Sequence, residues 1–214
     1  MIKKDIAILD YGIGNVRSIC NAFEEIGAHP ILTNEKKIIM NSSALVLPGV
    51  GAFAKGMKNL EENNLIDIIY DYVKSDRPFL GICLGMQMLL EESEEFGLTK
   101  GLGLIKGKVI KMPIISDDMV KLPHVSWNEI KEPSPGRWKN TILENTNNSA
   151  DVYFVHSFVA SPQNDKDILA VTNYSGFDFC AAVHFQNIFG TQFHPEKSGN
   201  DGLDILKKFV ELAN

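Results

Sequence analysis

Apolar residues fall along the first half of the chain in two alternating rhythms. Continuous runs of strand length at residues 6–9, 30–32, 44–47 and 79–82 are separated by stretches in which apolar positions recur every three or four residues. A continuous run predicts a strand covered on both faces, whereas the three-to-four spacing predicts a helix with one buried stripe. Val16, Ile19, Cys20, Phe23 and Ile26 form such a stripe, closing at Gly27, and Leu65, Ile66, Ile69, Tyr70 and Val73 form another. A short polar-to-apolar segment covers residues 35–40. Good helix formers over residues 84–92, with Met88 and Leu89 spaced for burial, predict a helix directly after the fourth strand, which Pro78 opens. The alternation predicts an α/β fold with a central, mostly parallel sheet flanked by helices.

Past residue 95 the rhythm changes. Gly97, Gly101, Gly103 and Gly107 interrupt the chain before a strand-like run at 108–110, and helix signals thin out. Residues 125–130, 152–155, 168–172, 179–185 and 188–193 read as strands joined by short turns, so the C-terminal half is expected to extend the sheet in antiparallel fashion. Residues 131–148, rich in Pro, Asn, Ser and Thr, read as a surface loop. Leu203, Leu206, Phe209 and Val210 mark a final amphipathic helix. At 214 residues and 44% hydrophobic, the chain can fill one substantial core, and a single domain over 1–214 is expected.

Composition removes several classes of function. Lys plus Arg number 21 against 27 Asp plus Glu, a net charge of −6, with no basic run to track a phosphate backbone, which argues against nucleic acid. The first residues lack the apolar core and cleavage site of a signal peptide, and no stretch is long enough to span a bilayer, so no membrane role is expected. Cys20, Cys83 and Cys180 are an odd number without paired spacing. That argues against a disulfide framework or a Cys-based zinc site and for a reducing, cytoplasmic setting. Gly12 and Gly14 could open a dinucleotide fingerprint, but Arg17 stands where its third glycine belongs, and NAD binding is rejected.

Candidate chemistry gathers on Gly81-Ile82-Cys83-Leu84-Gly85. Cys83 falls at a strand-to-helix junction framed by glycines, the cysteine counterpart of a nucleophile elbow. A thiol at a helix start meets unpaired N–H groups and the positive end of the helix dipole, which favour the thiolate and can steady an oxyanion. A lone intracellular cysteine more often simply packs, as Cys20 is expected to do on its helix stripe. A nucleophile also needs a base, and Phe193-His194-Pro195-Glu196 supplies one at a strand end, with Glu196 presented beside the imidazole to fix its tautomer. A metal site built from His194, Glu196 and His156 lacks any standard ligand spacing. The turn Pro48-Gly49-Val50-Gly51-Ala52-Phe53 carries freely orientable N–H groups suited to an oxyanion, although a plain tight turn is the simpler account of it alone.

Taken together, five motifs resemble the class I, triad-type glutamine amidotransferases, and among them the glutaminase subunits of imidazole glycerol phosphate synthases. They are Asp10-Tyr11-Gly12-Ile13-Gly14-Asn15, the residue 47–53 turn, the Cys83 elbow through Gln87, Tyr153-Phe154-Val155-His156-Ser157, and Gln192-Phe193-His194-Pro195-Glu196-Lys197-Ser198. Pro123-His124-Val125-Ser126-Trp127-Asn128 adds to the resemblance, with Ser126 standing where that family usually has glycine.

The resemblance implies a catalytic triad of Cys83, His194 and Glu196, and an oxyanion site at Leu84 and Gly49, Val50 and Gly51. It also implies that Gln87, Glu95, His156, Ser157 and Phe158 bind glutamine. Glu95 stands in an acidic run, Glu91 to Glu95, whose simplest role is a solvated face. No cofactor and no metal are implied. The implied partner is a (β/α)₈-barrel cyclase subunit that receives the ammonia, with Trp127 and Asn128 as candidate docking residues; burial of the Trp is an equally good account of it. Three other readings compete. They are a glutaminase feeding a different acceptor such as a sugar-amidating synthase, supported only by Ser126; a non-catalytic scaffold on the same fold; and a cysteine peptidase.

Overall fold

The computed structural model describes residues 3–113 and 121–213. Its main sheet starts from β1 (Asp5–Leu9), whose Ile6 and Ile8 pack on one face while Ala7 and Leu9 pack on the other. That two-sided burial is what a continuous apolar run requires. Parallel to it lie β2 (His29–Thr33) and β3 (Ala44–Leu47), and β4 (Phe79–Ile82) is parallel to β3. The helices between them cover both faces. α1 (Val16–Glu25) buries Ile19, Ala22 and Phe23 on one side; α2 (Lys36–Asn41), α3 (Phe53–Glu62) and α4 (Ile66–Val73) pack on the other.

After β4 the chain turns into α5, which spans only Leu84–Met88. The helix expected to reach residue 92 is therefore cut short, and residues from Leu90 onward form β5 (Leu90–Ser93). Pairing decides this against local propensity. β5 bonds to β6 (Thr99–Lys100) and to β7 (Ile105–Lys111), and the Met88, Leu89 and Leu90 carbonyls accept N–H groups from Leu102, Leu104, Ile105 and Gly103. β10 (Phe158–Pro162) joins β7 to complete this four-stranded sheet, and β8 (His124–Ile130) pairs with β9 (Ala150–His156) in a separate hairpin-like ribbon.

The antiparallel extension of the main sheet consists of β11 (Ile168–Tyr174) and β12 (Phe177–Phe185) alone. β13 (Ile188–Thr191) pairs antiparallel with β12 but parallel with β4, giving the order β11-β12-β13-β4-β3-β1-β2. The rest of the C-terminal half thus builds two further sheets rather than one continuous extension. The segment at 131–148 is less superficial than its composition suggests, because Trp138, Ile142 and Leu143 are buried and the Trp138 indole donates to the Leu169 carbonyl at 2.7 Å. α6 (Gly199–Leu212) closes the fold, burying Ile205, Leu206 and Phe209 beside α1.

The topology also locates the chemistry. Tyr11, the Gly49 turn, Cys83 and His194 follow the carboxyl ends of β1, β3, β4 and β13, four adjacent or near-adjacent parallel strands. In an open α/β sheet that edge is where ligands bind. Residues up to 183 positions apart in sequence are thereby gathered along one rim.

Candidate active site

Cys83 sits at the elbow with φ 53° and ψ −108°, a left-handed conformation that a side-chain-bearing residue adopts only at a cost of order 1–3 kcal/mol. The neighbouring fold holds it there. The Cys83 amide donates to the Thr191 carbonyl at 2.7 Å, tying the elbow to β13. The flanking glycines serve close approach: a Cβ on Gly85 would lie 1.9 Å from the Leu47 carbonyl oxygen, and one on Gly81 would lie 2.7 Å from the Gly85 carbonyl carbon. The strain is carried by the nucleophile itself. With α5 only five residues long, its dipole offers the elbow limited support.

The charged partner beside the thiol is His194, which Glu196 holds. His194 leaves β13 and is fixed by its own backbone, which donates to the Tyr153 carbonyl at 2.9 Å and accepts from the Ser198 hydroxyl at 2.7 Å. Its Nδ1 lies 2.8 Å from Glu196 Oε1, with both side chains almost wholly buried (3% and 0% exposed). Burial works against protonating the ring, but Cys83 and Glu196 beside it outweigh that and push His194 up to about 10. Among the described residues His194 Nε2 makes no hydrogen bond of ordinary geometry, with Cys83 as its neighbour, so it can serve reacting atoms.

Cys83 borders a cavity of about 280 Å³, which is also lined by Val50, Gly51, Leu84, Gln87, Glu95, Pro123, Val155, His156, Ser157 and Phe158. Every residue expected to bind glutamine is among them. The outer docking pair is different. Trp127 is 52% exposed, but Asn128, its neighbour on β8, faces inward and bonds to His124 and to the Asn173 carbonyl. Adjacent strand residues point to opposite faces, so the two do not form one surface. A wider, more open hollow of about 630 Å³ around Arg137 and His184 has no cysteine in its lining, and the Arg137 guanidinium is engaged by the Lys166, Ile168 and His184 carbonyls.

Two side chains without an assigned role prove central. Gln192, fully buried, receives the Gln87 amide on its Oε1 at 3.0 Å and places its own Nε2 3.7 Å from Cys83 Sγ. Tyr11 donates its hydroxyl to the Pro48 carbonyl at 2.5 Å, and Asn59 in turn holds the Tyr11 carbonyl, so the first glycine-rich motif braces the turn beside the thiol. Both lay inside motifs quoted from the sequence, yet their contacts are long-range. Glu95 also has a local duty: its Oε2 accepts the Phe53 amide at 2.6 Å, at the start of α3. In the turn itself, the Leu84 N–H faces the Gly49 carbonyl at 3.4 Å, so an acceptor occupies the position that an oxyanion would need.

The model of the family "Glutamine amidotransferase class-I" matches residues 7–212. The chain is 47% identical over 210 residues to "Imidazole glycerol phosphate synthase subunit HisH 1" of Legionella pneumophila (strain Lens), covering 97% of this chain and 99% of that protein. It is 44% identical to "Imidazole glycerol phosphate synthase subunit HisH" of Geobacter metallireducens over 96% of this chain and 97% of the relative. To the protein of the same description from Aquifex aeolicus it is 41% identical, over 96% of each. Among solved structures, "Structure of PurLQS from Thermotoga maritima" superposes with a TM-score of 0.74 at 18% identity, covering 98% of this chain and 99% of that one, a likeness of fold.

Proposed function

The chain belongs to the class-I glutamine amidotransferase family, and from that membership we propose that it is the glutaminase subunit of an imidazole glycerol phosphate synthase, acting in histidine biosynthesis. The observation that carries this reading is a cysteine held in a strained elbow, beside a buried His194–Glu196 pair and bordering a cavity sized for a small molecule.

In the proposed reaction the Cys83 thiolate attacks the side-chain carboxamide carbon of glutamine. His194, protonated on Nε2, gives its proton to the departing nitrogen, so ammonia leaves and a thioester to Cys83 remains. A water molecule then loses a proton to the same Nε2 as it attacks the thioester, and glutamate departs as Cys83 is restored. Glu196 holds the Nδ1 proton throughout. Gln87, Glu95 and the backbone around His156, Ser157 and Phe158 cradle the substrate. The oxyanion forms beside Leu84, and stabilising it requires the Gly49–Val50 peptide to turn its carbonyl away and bring the Val50 N–H round. Each donor of this kind is typically worth about 2.7–4 kcal/mol. Gly51, at φ 103°, gives the turn the freedom to make that change.

Ammonia released into neutral water is quickly protonated and lost as a nucleophile. A partner must therefore take it directly, and we assign that role to a (β/α)₈-barrel cyclase subunit forming a heterodimer with the exposed Trp127 side, the ammonia passing through the barrel. A cytoplasmic location accords with three free cysteines. Among the described residues no helix is long and apolar enough to cross a membrane. The test is glutamate release from glutamine by the purified chain, alone and with the cyclase plus its nucleotide ligand. A large rise only in the complete mixture is expected; a slow chain that the cyclase leaves slow would reassign the acceptor.

A further inference from the structure

Behind the glutamine pocket lies a polar chain that the proposed reaction does not use. His124 and His156 face each other across the β8–β9 register, with His124 Nδ1 3.1 Å from His156 Nε2. The outer ring nitrogens are engaged as well. His156 Nδ1 lies 3.0 Å from the Phe158 carbonyl oxygen, and His124 Nε2 lies 2.8 Å from both Ser126 Oγ and Asn128 Oδ1. His124 is fully buried, stacked between Tyr174 at 4.0 Å and Phe154 at 5.1 Å, so water cannot complete the set.

Counting protons leaves two directions for the chain: with the Ser126 proton on His124 Nε2 the Asn128 oxygen faces a bare nitrogen, and with it on Asn128 the Phe158 oxygen does. The Phe158 carbonyl only accepts, and Asn128 also presents an oxygen, because its Nδ2 donates to the Asn173 carbonyl at 3.0 Å. Three links between two oxygen ends need three protons, and two neutral imidazoles bring two. The Ser126 hydroxyl is the one further donor present. It can serve His124 Nε2 or, at 2.5 Å, Asn128 Oδ1, but not both. If it serves Asn128, the third proton must sit on a histidine as a cation, or else His156 must turn a lone pair toward the Phe158 oxygen. Burial and the neighbouring His124 press His156 down to about 3, and burial holds His124 below its usual range, so a cation is disfavoured.

We propose that Ser126 starts a one-way hydrogen-bond chain, Ser126 to His124 to His156 to the Phe158 carbonyl, and that Ser126, His124 and His156 are positioning residues for glutamine. Both rings are neutral with the proton on Nδ1. The Phe158 carbonyl so held also accepts the Gln87 amide at 3.0 Å, and Gln87 hands the order on to Gln192 and thence to Cys83 Sγ. The chain sets the pocket wall and the donor beside the nucleophile without touching the reacting atoms.

The effect on substrate rests on the glutaminase reading; the proton positions do not. Imidazole ¹⁵N–¹H correlation spectra of the full chain read which nitrogen carries each proton, and glutamine kinetics with the cyclase read the pocket. For the wild type, Nδ1–H is expected on both histidines. Ser126→Ala should move the His124 proton to Nε2, facing Asn128, and raise KM for glutamine about fivefold, the worth of one neutral hydrogen bond, with kcat within twofold. Ser126→Thr, which keeps the hydroxyl, should restore both. Wild-type His124 protonated on Nε2, or an alanine variant with unchanged tautomers and KM, would overturn the proposal. A wild type that released no glutamate under any condition would instead sink the proposed function, while the spectra would still decide the chain.

Discussion

Two groups of buried histidine stand close to the same cysteine and are driven in opposite directions. His194 and His156 are both almost fully enclosed, and burial acts on both rings alike by disfavouring charge. Yet His194 is pushed up to about 10 while His156 is pressed down to about 3. The difference lies in what each ring faces. His194 meets a carboxylate at 2.8 Å and the Cys83 sulfur, whereas His156 meets a second imidazole and a peptide carbonyl. Partners, not enclosure, decide whether a histidine stores a proton or only passes on a direction. The site uses both kinds: a charged pair to drive the leaving group, and a neutral pair to hold the wall against which substrate lies.

The largest expected effect removes the centre that both groups serve. Cys83→Ala should abolish glutamine-dependent synthesis while the cyclase still works from added ammonia, because only the nucleophile is missing. Loss of both reactions would show that Cys83 has another task. Next comes Glu196→Gln, which keeps the shape but withdraws the charge that holds a proton on His194. Its kcat should fall on the order of 10²–10⁴-fold, and the alkaline limb of its pH–rate profile should move to lower pH. The His124 and His156 tautomers should stay as they are. An unmoved alkaline limb would mean that Glu196 is not what charges His194, and the contrast between the two groups would lose its cause.

How much of this was legible in the sequence follows from the range of each interaction. The Cys83 elbow and the His194–Glu196 step are local, two or three residues long, so the residue types alone announced them. Gln192 acts on a cysteine 109 positions away, and nothing near it in sequence signals that contact. The His124–His156 pair exists only through the register of β8 on β9. β5 was hidden because its Leu and Glu residues favour helix, and only the strands beside it make it extended. β10, Phe158–Pro162, is short and ends in proline, so its extended form comes from pairing with β7. By contrast, α3 is legible: Phe53, Met57 and Leu60 repeat at helical spacing just after the glycine turn. The separation of Trp127 from Asn128 likewise follows from strand alternation once β8 is recognised.

The smallest effects, and the sharpest statement of the contrast, lie in stability against pH. His194 carries a folded-state value near 10 against an ordinary 6.5, so the folded chain binds the extra proton between those limits. Its contribution is complete below pH 6.5 and is lost as the pH rises through about 10. His156, with a folded value near 3, works the other way. Between pH 6.5 and 3 the unfolded chain takes the proton that the folded chain refuses, so stability is kept above 6.5 and lost as the pH falls. One proton's difference gives a slope of at most about 1.4 kcal/mol per pH unit in either window. Urea midpoints of the full chain from pH 4 to 10 should therefore flatten on the acid side in His156→Gln and on the alkaline side in His194→Gln. If His156→Gln flattened the alkaline side instead, the neutral histidine would be the charged one, and the assignment of a proton store and a neutral wall would have to be exchanged.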